Sequence, residues 1–130
     1  MVAYADAYEK KLRDILNEPV GEYVTTVPAV QQRDPYIWMD RHVHILKAGA
    51  GKHFDRVLIG DSIMHFWGGA DDAPARNGQK VWDEFEGSSL NMGCGYDRTE
   101  NVLWRIYHGQ LDGFTADRIY LTIGINNFAV

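Results

Sequence analysis

Cysteine is almost absent: Cys94 stands alone, so no internal disulfide can staple the chain, and the redox compartment is left open. Long apolar runs are missing too. No stretch approaches the ~18 residues that a membrane-spanning helix needs, so no membrane span is expected. Basic residues are outnumbered, 13 Lys and Arg against 18 Asp and Glu, for a formal charge of -5. With no basic run either, the electrostatic footprint of a nucleic-acid surface is lacking. No internal repeat or low-complexity segment is visible. The residues from Met1 to Asp6 lack the charged and apolar regions of a signal peptide, although Ala3-Tyr4-Ala5 has the small-x-small spacing of a cleavage site. The location therefore reads as cytoplasmic, or as secreted or periplasmic after removal of an upstream leader. What remains is one domain's worth of chain: 130 residues, 45% hydrophobic and 24% charged, enough for a modest core.

The most informative stretch is Val57-Leu58-Ile59-Gly60-Asp61-Ser62-Ile63. A short unbroken apolar run closed by turn residues reads as a strand buried on both faces. A serine just past such a strand occupies the edge where open α/β sheets hold their ligands. Before it, Tyr4 to Asn17 reads as an amphipathic helix stopped by Pro19 to Gly21, and Val24 to Val27 as an edge strand. A second helix starts at Asp34-Pro35, carries Ile37, Trp38, His42, Ile45 and Leu46, and ends at Gly49 and Gly51. His42 and His44, two apart on that helix, point in different directions and read as ordinary imidazoles rather than a zinc pair.

After a loop from Gly68 to Gln79, Lys80 to Glu86 reads as a short helix and Ser88 to Met92 as a second strand. The turn Gly93-Cys94-Gly95-Tyr96-Asp97 follows. Asp97 and Glu100 make a capping box for a helix from Arg98 to His108, with Val102, Leu103, Ile106 and Tyr107 as its buried stripe. A third strand, Arg118 to Ile125, runs into Asn126 and Asn127. Strand, helix, strand, helix, strand with right-handed crossovers predicts a parallel sheet whose three closing turns share one edge. Ser62, the 93–97 turn and Asn126 are thereby expected to converge.

Those three turns match two of the needs of ester hydrolysis. Ser62 offers a hydroxyl nucleophile, and its own amide lies near the start of a helix. A glycine-containing turn exposes main-chain N–H groups, and the Asn126 carboxamide is a neutral donor suited to an oxyanion. Asp61 reads as a turn-fixing acceptor, Cys94 as a buried inert thiol, and Trp38, Trp67, Trp82 and Trp104 as core or pocket wall.

In three ordered blocks these residues resemble the SGNH (GDSL-type) hydrolases, in particular the branch of the platelet-activating-factor acetylhydrolase catalytic subunits. Val57 to Ser62 resembles the nucleophile block. Asn91 to Arg105, continuing into His108 to Leu111, resembles the glycine block and its helix, and Gly124-Ile125-Asn126-Asn127 the Gly-Thr-Asn-Asn block. The resemblance implies a flavodoxin-like three-layer α/β/α fold, with Ser62 as nucleophile, Asn126 as side-chain oxyanion donor and no metal or cofactor. It places the second oxyanion donor at Tyr96, where the family has glycine, with Gly95 before it. Ile125 stands in place of the family's threonine.

The family's base, a histidine in an Asp-x-x-His block, has no counterpart. None of His42, His44, His53, His65 and His108 has an Asp three residues before it. His65, three residues after Ser62, is set aside because no carboxylate near it in sequence orients it. The last strand reads as an interior one with nothing after it to cover it. The chain is therefore expected to be the N-terminal part of a larger hydrolase: an extension over 1–54, then the first three strand–helix units over 55–130. The expected activity is a serine esterase acting on a small acetylated or short-acyl ester, sugar or lipid-like. The alternative is a non-catalytic small-molecule or carbohydrate-binding module, or an inactive fragment. A second copy of the chain or a complementing C-terminal segment is the expected macromolecular partner.

Overall fold

The computed structural model of the chain describes residues 24–31, 38–68, 72–85 and 87–128. The helix read over Tyr4 to Asn17 and the Asp34-Pro35 helix start lie outside them. Three strands form the sheet: β1 (His53–Gly60), β2 (Ser89–Gly93) and β3 (Thr115–Thr122). They are all parallel, in the order β2-β1-β3. Four helices accompany them: α1 (Trp38–Gly49), α2 (Ser62–His65), α3 (Gln79–Asp83) and α4 (Thr99–Arg105).

The apolar run of β1 explains its central place. Val57, Leu58 and Ile59 are all buried, on both faces of the sheet. Val57 and Ile59 lie level with Leu90 and Met92 of β2, and this face packs against Trp38 and Ile45 of α1 and Val102 of α4. Side chains alternate along a strand, so Leu58, Gly60, Asn91 and Gly93 belong to the opposite face. There α2 comes so close that a Cβ on Gly93 would stand 2.2 Å from the His65 main-chain nitrogen. A Cβ on Gly60 would stand 2.8 Å from Met64 Cβ. The two glycines are what let the Ser62 turn settle onto the sheet. With helices on both faces of a parallel sheet, the chain is an α/β protein.

The edges of the sheet are unlike each other. On β2, Arg41 of α1 donates from Nε to the Gly93 carbonyl (2.9 Å) and from Nη2 to that of Asn91 (2.7 Å). These alternate residues share one side of the strand, so a buried guanidinium stands where another strand would pair. On β3, by contrast, Ile119, Tyr120 and Leu121 remain 52%, 44% and 60% exposed.

Three sequence expectations are corrected. Val24–Thr26 is a single 3-10 turn, not an edge strand. Its neighbourhood is tied to the start of α4: Thr99 Oγ1 donates to the Thr25 carbonyl, the Ala29 N–H to that of Glu100, and Asn101 Nδ2 to that of Ala29. Backbone groups that meet α4 are not offered to a sheet. Nor does Asp97 cap α4. Its carboxylate turns inward to Arg105, and the N-terminal position falls to Arg98, whose N–H donates to Asn101 Oδ1 at 2.9 Å. The helix is also shorter than expected, passing after Arg105 into a wide turn over Ile106–Gln110 where Gly109 has φ 93°.

Because the obstacle at Gly93 is backbone rather than a flexible side chain, Gly93→Ala is expected to cost about 3 kcal/mol or more. A fall in the urea midpoint checks this; an unchanged midpoint would mean that α2 lies farther from the sheet.

Candidate active site

Gly60 is level with Gly93 on one side and Thr122 on the other, so the three strands end together. Past that line lie Ser62, the 94–97 turn and Asn126. Ser62 is the first residue of α2 and half-buried. The buried Asp61 before it accepts the Ile63 N–H at Oδ1 (2.9 Å), and its carbonyl accepts that of His65 (2.9 Å). Asp61 thus fixes the turn, as its position suggests, and commits the Ile63 amide in doing so.

The turn after β2 is fixed from below. The Gly95 carbonyl accepts Gln31 Nε2 at 2.7 Å. Tyr96, with φ 62°, is the one non-glycine among the described residues at positive φ, and its side chain is 45% exposed. Asp97 is fully buried. Its Oδ1 accepts Trp38 Nε1 (2.7 Å) and Gln31 Nε2 (3.0 Å), and its Oδ2 is paired with Arg105 Nε at 2.8 Å. Burial pushes the Asp97 carboxyl up from the usual carboxylate range, against the pull of Arg105. Cys94 is buried as well, its thiol pushed up to about 11 by desolvation; so poor a source of thiolate is inert at neutral pH.

The third turn closes onto the second. Asn126 Nδ2 donates to the Asp97 carbonyl at 2.9 Å. Asn127 accepts the Thr99 N–H (3.1 Å) and donates to Thr99 Oγ1 and Glu100 Oε2. Of the residues singled out in the sequence, Asn126 is bonded to the residue that follows Tyr96, and Ser62 shares their edge through the strand register.

Other groups at this edge had little signal in the sequence. Asn91, a polar residue inside a strand, holds α2 by donating Nδ2 to the carbonyls of Met64 (2.8 Å) and Trp67 (3.2 Å), and its Oδ1 accepts the Gly93 N–H. Arg41 Nη1 donates to Asp72 Oδ1 at 2.6 Å. The same Asp72 oxygen lies 4.0 Å from His65 Nε2 and 4.0 Å from His44 Nε2. His65 thus has a carboxylate beside it after all, brought in from seven residues along the chain, where nearness in sequence gave no sign of it. Its imidazole is nevertheless depressed to about 4, by burial first and then by Arg41.

Among the described residues, no group of three or more His, Cys, Asp or Glu is arranged to hold a metal ion. An open hollow of about 330 Å³, lined by Lys52, His53, Phe114 and Thr115 among others, lies at the other end of the sheet from Ser62. No helix among the described residues is long and apolar enough to cross a membrane.

Parallel strands with helices on both faces define an α/β protein, a class in which ligands bind at the carboxyl end of the sheet. Similarity to known proteins points the same way. No family model matches the chain. It is 28% identical over 92 residues to the platelet-activating factor acetylhydrolase IB subunit alpha2 of Homo sapiens and of Rattus norvegicus. It is equally similar, over the same length, to the alpha1 subunit of Rattus norvegicus. These subunits are SGNH-type hydrolases. Each match takes in 69% of this chain and 36% of the relative, so the chain spans about a third of the length of the proteins it resembles. The relationship to these hydrolases is distant and partial.

The buried His65 makes stability depend on pH. Its folded pKa is depressed to about 4 from 6.5, so the unfolded chain binds the extra proton. The stability gained from keeping the ring neutral is whole above pH 6.5 and drains as pH falls towards 4, by about 2 kcal/mol at pH 5. Urea midpoints at pH 7.5 and pH 5 check this: the difference should shrink in His65→Gln, and equal differences in both proteins would refute it.

Proposed function

We propose that this chain carries the nucleophile and oxyanion parts of a serine ester hydrolase of the SGNH type, acting on a small acetylated or short-acyl ester through an acyl-enzyme. Ser62 is the nucleophile. The main-chain N–H of Tyr96, with Gly95 before it, and the Asn126 carboxamide are the oxyanion donors. The observation that carries this reading is the 2.9 Å bond from Asn126 Nδ2 to the Asp97 carbonyl. It uses one of the two carboxamide protons and anchors the group beside Tyr96, leaving the other proton for a ligand. As the hydroxyl oxygen attacks an ester carbonyl, charge gathers on the carbonyl oxygen, and fixed neutral donors at that point lower the barrier. The resemblance to the acetylhydrolase subunits supports the same chemistry.

No base is assigned among the described residues. A general base works best with a pKa near the operating pH, and His65, depressed to about 4, is too weak an acceptor. His42 is buried with Nδ1 2.8 Å from Gln110 Nε2, and its pKa is lowered by burial and by Arg105. His108 stacks on Trp104 with ring centroids 3.6 Å apart and has Nδ1 2.7 Å from its carbonyl. His53 opens β1, roughly 23 Å down the strand from Gly60 at about 3.3 Å per residue. This favours a second reading, a module that keeps the oxyanion cradle and binds acylated ligands without turning them over.

A fluorophosphonate probe and a nitrophenyl acetate separate the two. The hydrolase reading predicts covalent labelling that Ser62→Ala abolishes. It also predicts that Asn126→Ala slows labelling about 100-fold or more through the lost donor. A folded chain that neither labels nor hydrolyses refutes the hydrolase reading and favours the binding module.

A further inference from the structure

Tyr96 stands where the oxyanion turn needs a left-handed residue, and its φ of 62° is a conformation that a side chain disfavours and glycine adopts freely. Something must hold it there. The residue after it is placed to do so. The Asp97 carboxylate is fully buried and takes three side chains from three separate parts of the chain: Gln31, Trp38 of α1 and Arg105 of α4. Its main chain is engaged as well. The N–H donates to the Cys94 carbonyl at 3.3 Å, closing the turn around Gly95 and Tyr96, and the carbonyl accepts Asn126 Nδ2. One residue therefore joins both oxyanion donors of the proposed site, the Tyr96 amide through the peptide chain and the Asn126 carboxamide through a hydrogen bond.

We propose that Asp97 is the positioning residue of this cradle: its buried carboxylate clamps the turn with Tyr96 left-handed, and its carbonyl thereby sets the aim of the Asn126 carboxamide. The inference rests on the hydrolase reading for its catalytic consequence and on the geometry alone for its structural one. Asp97 touches no substrate; it acts through Tyr96 and Asn126. Arg105 belongs to the same device, since its Nη1 also donates to the Met92 carbonyl (2.8 Å) and to Gln110 Oε1 (2.6 Å), fixing the guanidinium that faces Asp97.

Rescue distinguishes positioning from mere support of the fold. Asp97→Asn removes the charge that Arg105 and the indole meet, and the turn is expected to relax. Phosphonylation of Ser62, measured at a temperature where circular dichroism shows the variant folded, should slow about 10- to 100-fold, the scale of a misplaced catalytic group. Adding Tyr96→Gly should restore most of the rate, because glycine holds φ near 60° without a clamp. A role in global stability alone would show no such recovery. The Asn126 side-chain amide resonances in a ¹⁵N-resolved spectrum supply a readout free of activity. They should move in Asp97→Asn towards the positions of a solvated carboxamide and return in the double variant. Labelling at the native rate in folded Asp97→Asn, no recovery with Tyr96→Gly, or unmoved Asn126 resonances would each overturn the proposal. Absence of labelling in the native chain, with the Asn126 resonances moving and recovering as stated, would instead remove the hydrolase reading and leave the clamp standing.

Discussion

Beneath the carboxyl edge of the sheet the Asp97–Arg105 ion pair, both partners at most 1% exposed, ties together four separate parts of the chain. Taking two charges out of water is costly, and their attraction repays this only when further hydrogen bonds satisfy the remaining donors and acceptors. Here the carboxylate has Trp38 and Gln31, and the guanidinium has Met92 and Gln110 through Nη1, while its buried Nη2 has no hydrogen-bond partner among the described residues. The partners come from α1, the segment before it, β2 and the wide turn after α4. A pair so surrounded adds little net stability compared with an apolar replacement, but it tolerates only one arrangement of those elements. Such a device suits a place where a turn must be held in one shape rather than merely held.

On the opposite face the constraint is steric. α2 is one turn long, too short to be stable by itself, and its stability comes from being pressed against the sheet. Gly60 and Gly93 allow the approach, Asn91 ties the helix through two carbonyls, and Asp61 fixes its start. The Ser62 hydroxyl is thus carried by an element held close against the sheet. The site is framed by two different physical means, charge on one face and close packing on the other.

Much of this was legible in the sequence, and the reasons can be named. The unbroken Val57-Leu58-Ile59 run gave the central strand, since few other arrangements bury three consecutive apolar residues. The polar turns after each strand gave the shared edge, because right-handed crossovers leave parallel strands no choice of direction. The failures have a common cause. Asp97 reads as a cap because a local pattern is readable from neighbours, whereas its partner Arg105 lies a full helix away on the inward face. Arg41 and Asp72 gave no sign for the same reason, and the edge strand expected at Val24 was lost to contacts with α4. Tertiary pairs of buried charges have no local signature; hydrophobic order along a strand does.

The oxyanion donors and the base of the proposed site make opposite demands on their surroundings. An oxyanion cradle needs donors fixed to within a fraction of an ångström, and main-chain amides and a carboxamide held by short hydrogen bonds between adjacent turns supply that locally. Residues 60–127 contain the donors proposed for the cradle, and Gln31 and Trp38 add to the hold on Asp97. A base has the opposite requirement: its ring must accept and release a proton, so it needs partial access to water and a pKa near neutrality. Where the described imidazoles are buried, as His42 and His65 are, burial depresses them. Dense packing of the kind that fixes donors also depresses an imidazole, so a cradle's precision and a base's titration favour residence on different parts of a fold.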